Sequence, residues 1–179
     1  MPGNIAAAIS GQDDALIVRD ARLDDSEAIN DIYNHYVPIS NCTMETDPVG
    51  IETRRIWFLE HGERFPVLVC ESEGEVVGWA SISPHRIRAA YRYTVEDAIY
   101  VRDDMRGRGV GGLLLDEMIV RVRDLGYHSM VAVINAEQRP SLALHSSRGF
   151  AEVAHLRQVG FKLGKWQDIK YMQLVVGSE

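Results

Sequence analysis

Cysteine is nearly missing from this chain. Cys42 and Cys70 are the only two in 179 residues and have no Cys-x-x-Cys spacing, which argues against a disulfide framework or a thiolate zinc site and fits a reducing cytoplasm. Basic charge is also short. Nineteen Lys and Arg against 26 Asp and Glu leave a formal net charge of −7, so neither nucleic acid nor an anionic membrane is expected as a partner, and any anionic ligand must be held locally. No apolar run approaches the roughly 20 residues of a membrane helix. Met1 to Ser10 has neither a basic start nor a long apolar core, so no membrane span and no export are expected. His35, His61, His85, His128 and His155 show no metal-ligand spacing with one another or with cysteine, and no metal is expected.

What remains is a globular composition, 46% hydrophobic and 25% charged, in a chain of one-domain length. Residues 1–14 read as a leader without periodicity and 15–179 as one domain. Leu16 to Val18 reads as a strand. Asp24-Asp25-Ser26-Glu27 offers a cap for a helix carrying Ile29, Ile32, Tyr33 and Tyr36. Ile51 to His61 reads as a second helix stopped by Gly62, with Ile51, Ile56, Trp57 and Leu59 as its apolar face. Pro66 to Cys70 and Val76 to Ser83 form a hairpin, and Tyr93 to Val101 is a third strand of that run. A helix from near Leu113 to Val122, a strand His128 to Ile134, a short helix Pro140 to Ser147 and two last strands, Val153 to Phe161 and Trp166 to Val176, complete the chain. The order β-α-α-β-β-β-α-β-α-β-β predicts an α/β (α+β) domain, a mixed sheet with helices on both faces.

The most informative segment is Arg106-Gly107-Arg108-Gly109-Val110-Gly111-Gly112, between a strand and a helix. Glycines let backbone N–H groups approach a ligand, the helix start adds unsatisfied donors, and the arginines add charge, so a phosphate group is expected here. Gly107, Gly109 and Gly112 also satisfy G-x-G-x-x-G, which leaves a nicotinamide-dependent oxidoreductase open. The late position in the chain and the lack of an acidic residue closing the next strand speak against it.

Arg106-x-x-Gly109-x-Gly111 resembles the pyrophosphate-binding signature of the GNAT superfamily of N-acetyltransferases. Further motifs are similar to the phosphinothricin and methionine sulfoximine acetyltransferases of that superfamily: Ile32-Tyr33-Asn34, Arg88 to Tyr91, Thr94-Val95-Glu96, Leu144-His145 with Gly149-Phe150, and Val159-Gly160-x-Lys162-x-Gly164-x-Trp166-x-Asp168. The resemblance implies a mostly antiparallel sheet, acetyl-CoA as donor and a small free amino acid or analogue as acceptor, with direct attack in a ternary complex. A non-catalytic acyl-CoA-binding module on the same scaffold is the second alternative.

On this resemblance Glu96 is the general base and His145 the proton donor to the departing sulfur. Asp97 is not Glu96's partner, because neighbouring strand residues point to opposite faces. Ala98, Ile99 and Val101 offer backbone to the pantetheine arm. Arg106, Gly107, Arg108, Gly109, Val110, Gly111 and Gly112 hold the diphosphate, and Ser141 touches the coenzyme. Gln138 stands where the family usually has Asn, and Asn135 is a candidate substitute. Tyr33, Arg88, Tyr91, Tyr93 and Thr94 join Glu96 as acceptor-site residues. Lys162, Trp166 and Asp168 are expected in a structural or interface role, since relatives commonly form homodimers.

Overall fold

The computed structural model describes residues 15–177, so the expected leader over residues 1–14 lies outside the described residues. Seven strands form one sheet in the order β1-β2-β3-β4-β5-β7-β6. They are β1 (Ile17–Asp20), β2 (Val67–Ser72), β3 (Glu75–Pro84), β4 (Thr94–Val101), β5 (Ser129–Asn135), β6 (Ala151–Lys162) and β7 (Lys165–Val175). Every pairing is antiparallel except β4 with β5. Helices α1 (Ser26–Tyr36) and α2 (Ile51–His61) cover one face, and α3 (Val110–Asp124) with α4 (Arg139–Ser146) the other. No helix among the described residues is long and apolar enough to cross a membrane.

Alternation along the central strands supplies a core to each face. Val95 and Met130 pack with Leu114, Leu115 and Met118 of α3. Trp79 and Tyr100 pack with Ile29 and Ile32 of α1. Gly78 sets how closely α3 approaches the sheet: a Cβ there would lie 2.7 Å from Val110 Cγ1 and 3.1 Å from the Tyr100 carbonyl oxygen. Gly78→Val is expected to cost about 1–3 kcal/mol by overpacking and lower Tm by roughly 3–10 °C in thermal unfolding. An unchanged Tm would mean that α3 moves freely over the sheet.

Three local expectations change. Asp25 does not cap α1 with its side chain. Its carboxylate accepts bonds from Arg19 and from the Arg22 backbone, and a 3-10 turn over Leu23–Asp25 leads into the helix instead. On α2, Ile56 and Leu59 are 57% and 66% exposed, whereas Arg54 is buried with its guanidinium 4.7 Å from the ring centres of both Tyr33 and Trp57. Positions 54, 57, 58 and 61 make one helical stripe, and aromatic faces able to take a cation decide which stripe turns inward. Finally, α3 begins at Val110 rather than near Leu113, so Gly111 and Gly112 belong to its first turn.

Candidate active site

Strands β4 and β5 are hydrogen-bonded only from Thr94–Asp97 to Ser129–Ala132. Beyond that the two part, because β5 stays paired with β7 as far as Asn135. The gap is a cleft of about 480 Å³ walled by Asp97 to Val101, Ala132 to Asn135, the glycine bend and α4. Residues Ala98, Ile99 and Val101 therefore present a strand edge that β5 leaves unpaired, a template for an extended amide-bearing chain.

Gly107 and Gly109 line one end of this cleft with φ of 76° and 89°. A Cβ on either would meet nothing within 4 Å, so the space above them is open. Gly109 is the N-cap of α3 and has no side-chain oxygen to offer. The N–H groups of Val110, Gly111 and Gly112 thus open the helix without intrahelical acceptors, and Leu113 is the first to bond back, to Gly109 oxygen at 3.1 Å. Arg106 also lines the cleft, and among the described residues its side chain is tied by a single 3.4 Å contact to Asp103. Arg108 is exposed outside the cleft wall. Open space, unclaimed donors and a half-exposed cation fit a diphosphate.

The two adjacent carboxylates of β4 go to opposite faces, as alternation requires, and each meets a histidine. Glu96 shares its face with Ala98 and Tyr100, toward α1 and α2. His85 Nδ1 stands 2.6 Å from Glu96 Oε1, with the two side chains 17% and 28% exposed. Tyr91 stands edge-on to His85, ring centres 5.9 Å apart. Asp97 shares its face with Val95 and Ile99, toward α3 and α4. His145 of α4 reaches it with Nε2 at 2.9 Å and donates from Nδ1 to the Ser141 carbonyl at 2.8 Å. Burial works to lower the His145 pKa, but the hydrogen bond and charge of Asp97 outweigh it and raise the imidazole above its ordinary value.

The structure thus brings His145, Ser141 and Gln138 to the cleft with the bend and the β4 edge, while Glu96 lies one residue beyond the cleft wall on the other face. Thr94 opens β4, and Arg88, Tyr91 and Tyr93 are exposed around the loop before it. Tyr33 is half-buried, its hydroxyl 2.6 Å from Thr43 Oγ1 and its ring edge-on to Tyr100. Burial raises its pKa. Gln138 donates to Asn41, and Asn135 spends both ends of its amide on Gln167 and the Glu137 N–H, so Asn135 is not a free substitute. Lys162 is buried and donates to the Thr43 carbonyl at 2.7 Å. Its neighbours Trp166 and Asp168 lie on the exposed hairpin. Among the described residues no group of three His, Cys, Asp or Glu is placed to hold a metal.

His85 is the residue that spacing alone passes over. Ser83 faces Glu96 across the β3–β4 register and the His85 N–H bonds to the Thr94 carbonyl, so His85 is a diagonal same-face neighbour of Glu96. Only the hairpin register carries that signal.

Comparison with known proteins shows which family the chain resembles. The sequence model of the acetyltransferase (GNAT) family matches residues 27–150. The chain is 41% identical over 158 residues to the L-amino acid N-acyltransferase MnaT of Escherichia coli, covering 88% of this chain and 92% of that one. It is 40% identical over 159 residues to an L-methionine sulfoximine/L-methionine sulfone acetyltransferase of Pseudomonas aeruginosa, covering 88% and 92%. A phosphinothricin acetyltransferase from Sinorhizobium meliloti, solved in complex with acetyl-CoA, superposes with a TM-score of 0.88 at 36% identity, covering 90% of this chain and 89% of that one.

Proposed function

This chain belongs to the acetyltransferase (GNAT) family and is an acetyl-CoA-dependent N-acetyltransferase; from that premise we propose that its acceptor is the α-amino group of a small amino acid or of an analogue such as a sulfoximine, sulfone or phosphinate. The hydride-transfer reading of Gly107-x-Gly109-x-x-Gly112 lapses with it. One observation carries the assignment of parts. The unpaired edge of β4 runs from the diphosphate-binding bend back toward the Glu96–His85 pair, so a donor laid along that edge brings its reacting end to the carboxylate.

In this reading the bend, Arg106 and the first turn of α3 take the diphosphate, and the backbone of Ala98, Ile99 and Val101 bonds the pantetheine amides. The acceptor enters from the α1/α2 side, where Tyr33, Arg88, Tyr91, Tyr93 and Thr94 surround it, the arginine suiting its carboxylate. Glu96 takes the proton from the ammonium group and His85 holds that carboxylate in place. The freed amine attacks the thioester carbonyl, and the sulfur leaves with a proton from His145. Relatives whose names specify amino acids, sulfoximines and phosphinothricin support the acceptor class.

We propose further that the protein is cytoplasmic and works as a homodimer. The support for pairing is edge strand β6, where Val153, Val159 and Phe161 stand more than half exposed beside Trp166 of β7. Sedimentation is expected to give twice the monomer mass, and Phe161→Glu to return it to one. A monomeric wild type would contradict the pairing.

The acceptor assignment is tested by thiol release from acetyl-CoA across free amino acids, sulfoximines, sulfones and phosphinic analogues. Release is expected only with a free α-amine and to be lost on N-methylation to the quaternary salt. Release equal to the acceptor-free rate throughout would overturn it.

A further inference from the structure

Asp97 has no part in the reaction described so far, yet its side chain is 2% exposed and its Oδ1 has no hydrogen-bond partner among the described residues. Burying a carboxylate oxygen unpaired is costly, and packing alone does not account for it. Its other oxygen faces His145 Nε2 at 2.9 Å, while His145 Nδ1 faces the Ser141 carbonyl at 2.8 Å. A carbonyl and an ionised carboxylate only accept, so against a charged Asp97 the ring donates from both nitrogens, as an imidazolium does. The Phe150 ring closes over it at 5.0 Å, edge to face.

We propose that Asp97 is a positioning residue for the thiol-release step: its bond to Nε2 keeps His145 doubly protonated in the wall of the cleft, ready to give that proton to the coenzyme A sulfur. The inference rests on the acetyl-transfer reading above. As the acyl C–S bond breaks, its electron pair goes to sulfur, which takes the Nε2 proton and leaves as the thiol. His145 is left neutral with Nδ1–H still on Ser141, and a solvent proton restores it against Asp97. The ammonium group sheds two protons in all, each taken in turn by Glu96 and passed to solvent, and His145 takes one back, so acyl transfer releases one net proton.

The charged groups facing His145 are few. Asp97 comes from β4. Arg148, just past the end of α4, opposes protonation and is itself paired with Asp116 of α3. Strand β5, which also packs on α4, carries no titratable residue. Because the folded-state pKa is raised above the ordinary 6.5, the pair's contribution to stability is complete below the unfolded value and is lost as pH rises through the folded one.

The test is Asp97→Asn, read by the ¹⁵N–¹H resonances of the His145 imidazole, by the pH profile of kcat and by calorimetric affinity for coenzyme A. The His145 midpoint and the alkaline limb of kcat are expected to fall together by about one to three pH units, and coenzyme A affinity, since Asp97 borders the cleft, is followed alongside as a control. Combined with His145→Asn, the second substitution is expected to add almost nothing. An alkaline limb that stays put while His145 shifts, or additive losses, would overturn the proposal. Should Asp97→Asn fail to fold, the wild-type resonances decide: both ring nitrogens protonated above the ordinary midpoint support it, and a neutral ring at pH 7 contradicts it. A wild type with no acceptor-dependent thiol release would instead sink the acetyl-transfer reading, whatever His145 does.

Discussion

Glu96→Gln is expected to lower kcat by about 10²–10⁴-fold, the range over which a positioned general base contributes. Glutamine keeps the size and a hydrogen-bonding oxygen for His85, so the loop from Pro84 to Tyr93 retains its anchor. What it removes is the one carboxylate on the α1/α2 face of β4, since Asp97 is turned away and spent on His145. The cleft proposed for the coenzyme begins at Asp97, so affinity for coenzyme A is expected to stay within about twofold, a loss confined to the chemical step. Equilibrium dialysis and steady-state rates on one preparation separate the two quantities. Full turnover by Glu96→Gln would remove this residue from the reaction, and intact coenzyme binding with no turnover in the wild type would favour a non-catalytic acyl-CoA-binding module.

The second large effect concerns the bend. Gly109→Asp is expected to weaken coenzyme A binding by about 100-fold or more, because bringing a carboxylate against a diphosphate costs several kcal/mol. Aspartate is chosen because it tolerates the left-handed backbone better than most residues. A Cβ at Gly109 also meets nothing within 4 Å. The left-handed backbone is expected to cost about 1–2 kcal/mol of stability, which thermal unfolding of each variant reads separately from binding. Gly109→Asn has the same shape without the charge, and most of the affinity is expected to return. Equal losses in the two variants would make the effect steric and remove the diphosphate from this position.

The bend is legible in the sequence because its parts are local: two arginines, interleaved glycines and a helix start within seven residues. The strands and helices were readable for the same reason, each being a period or a turn. Failures occurred where a residue's role depends on what lies across from it. The inward face of α2 is set by the rings of Tyr33 and Trp79 under Arg54, which no period within α2 records. The start of α3 is hidden because glycines read as a turn, although Gly111 sits in the first helical turn, where a Cβ would come within 3.3 Å of Leu144. His85 becomes visible only through the register of β3 with β4. Alternation did place Glu96 and Asp97 on opposite faces, and His145 was singled out, but that Asp97 is its partner required knowing where α4 packs.

In the proposed enzyme the bend grips the diphosphate and the unpaired edge of β4 guides the rest of the donor. Calorimetric titration with coenzyme A and, separately, with pantetheine, which has the arm but no diphosphate, tests it most directly. Saturable binding of coenzyme A with pantetheine weaker by about 100-fold or more is the predicted result, a difference of roughly 3 kcal/mol. Equal affinity for the two, or no heat with coenzyme A, would contradict it.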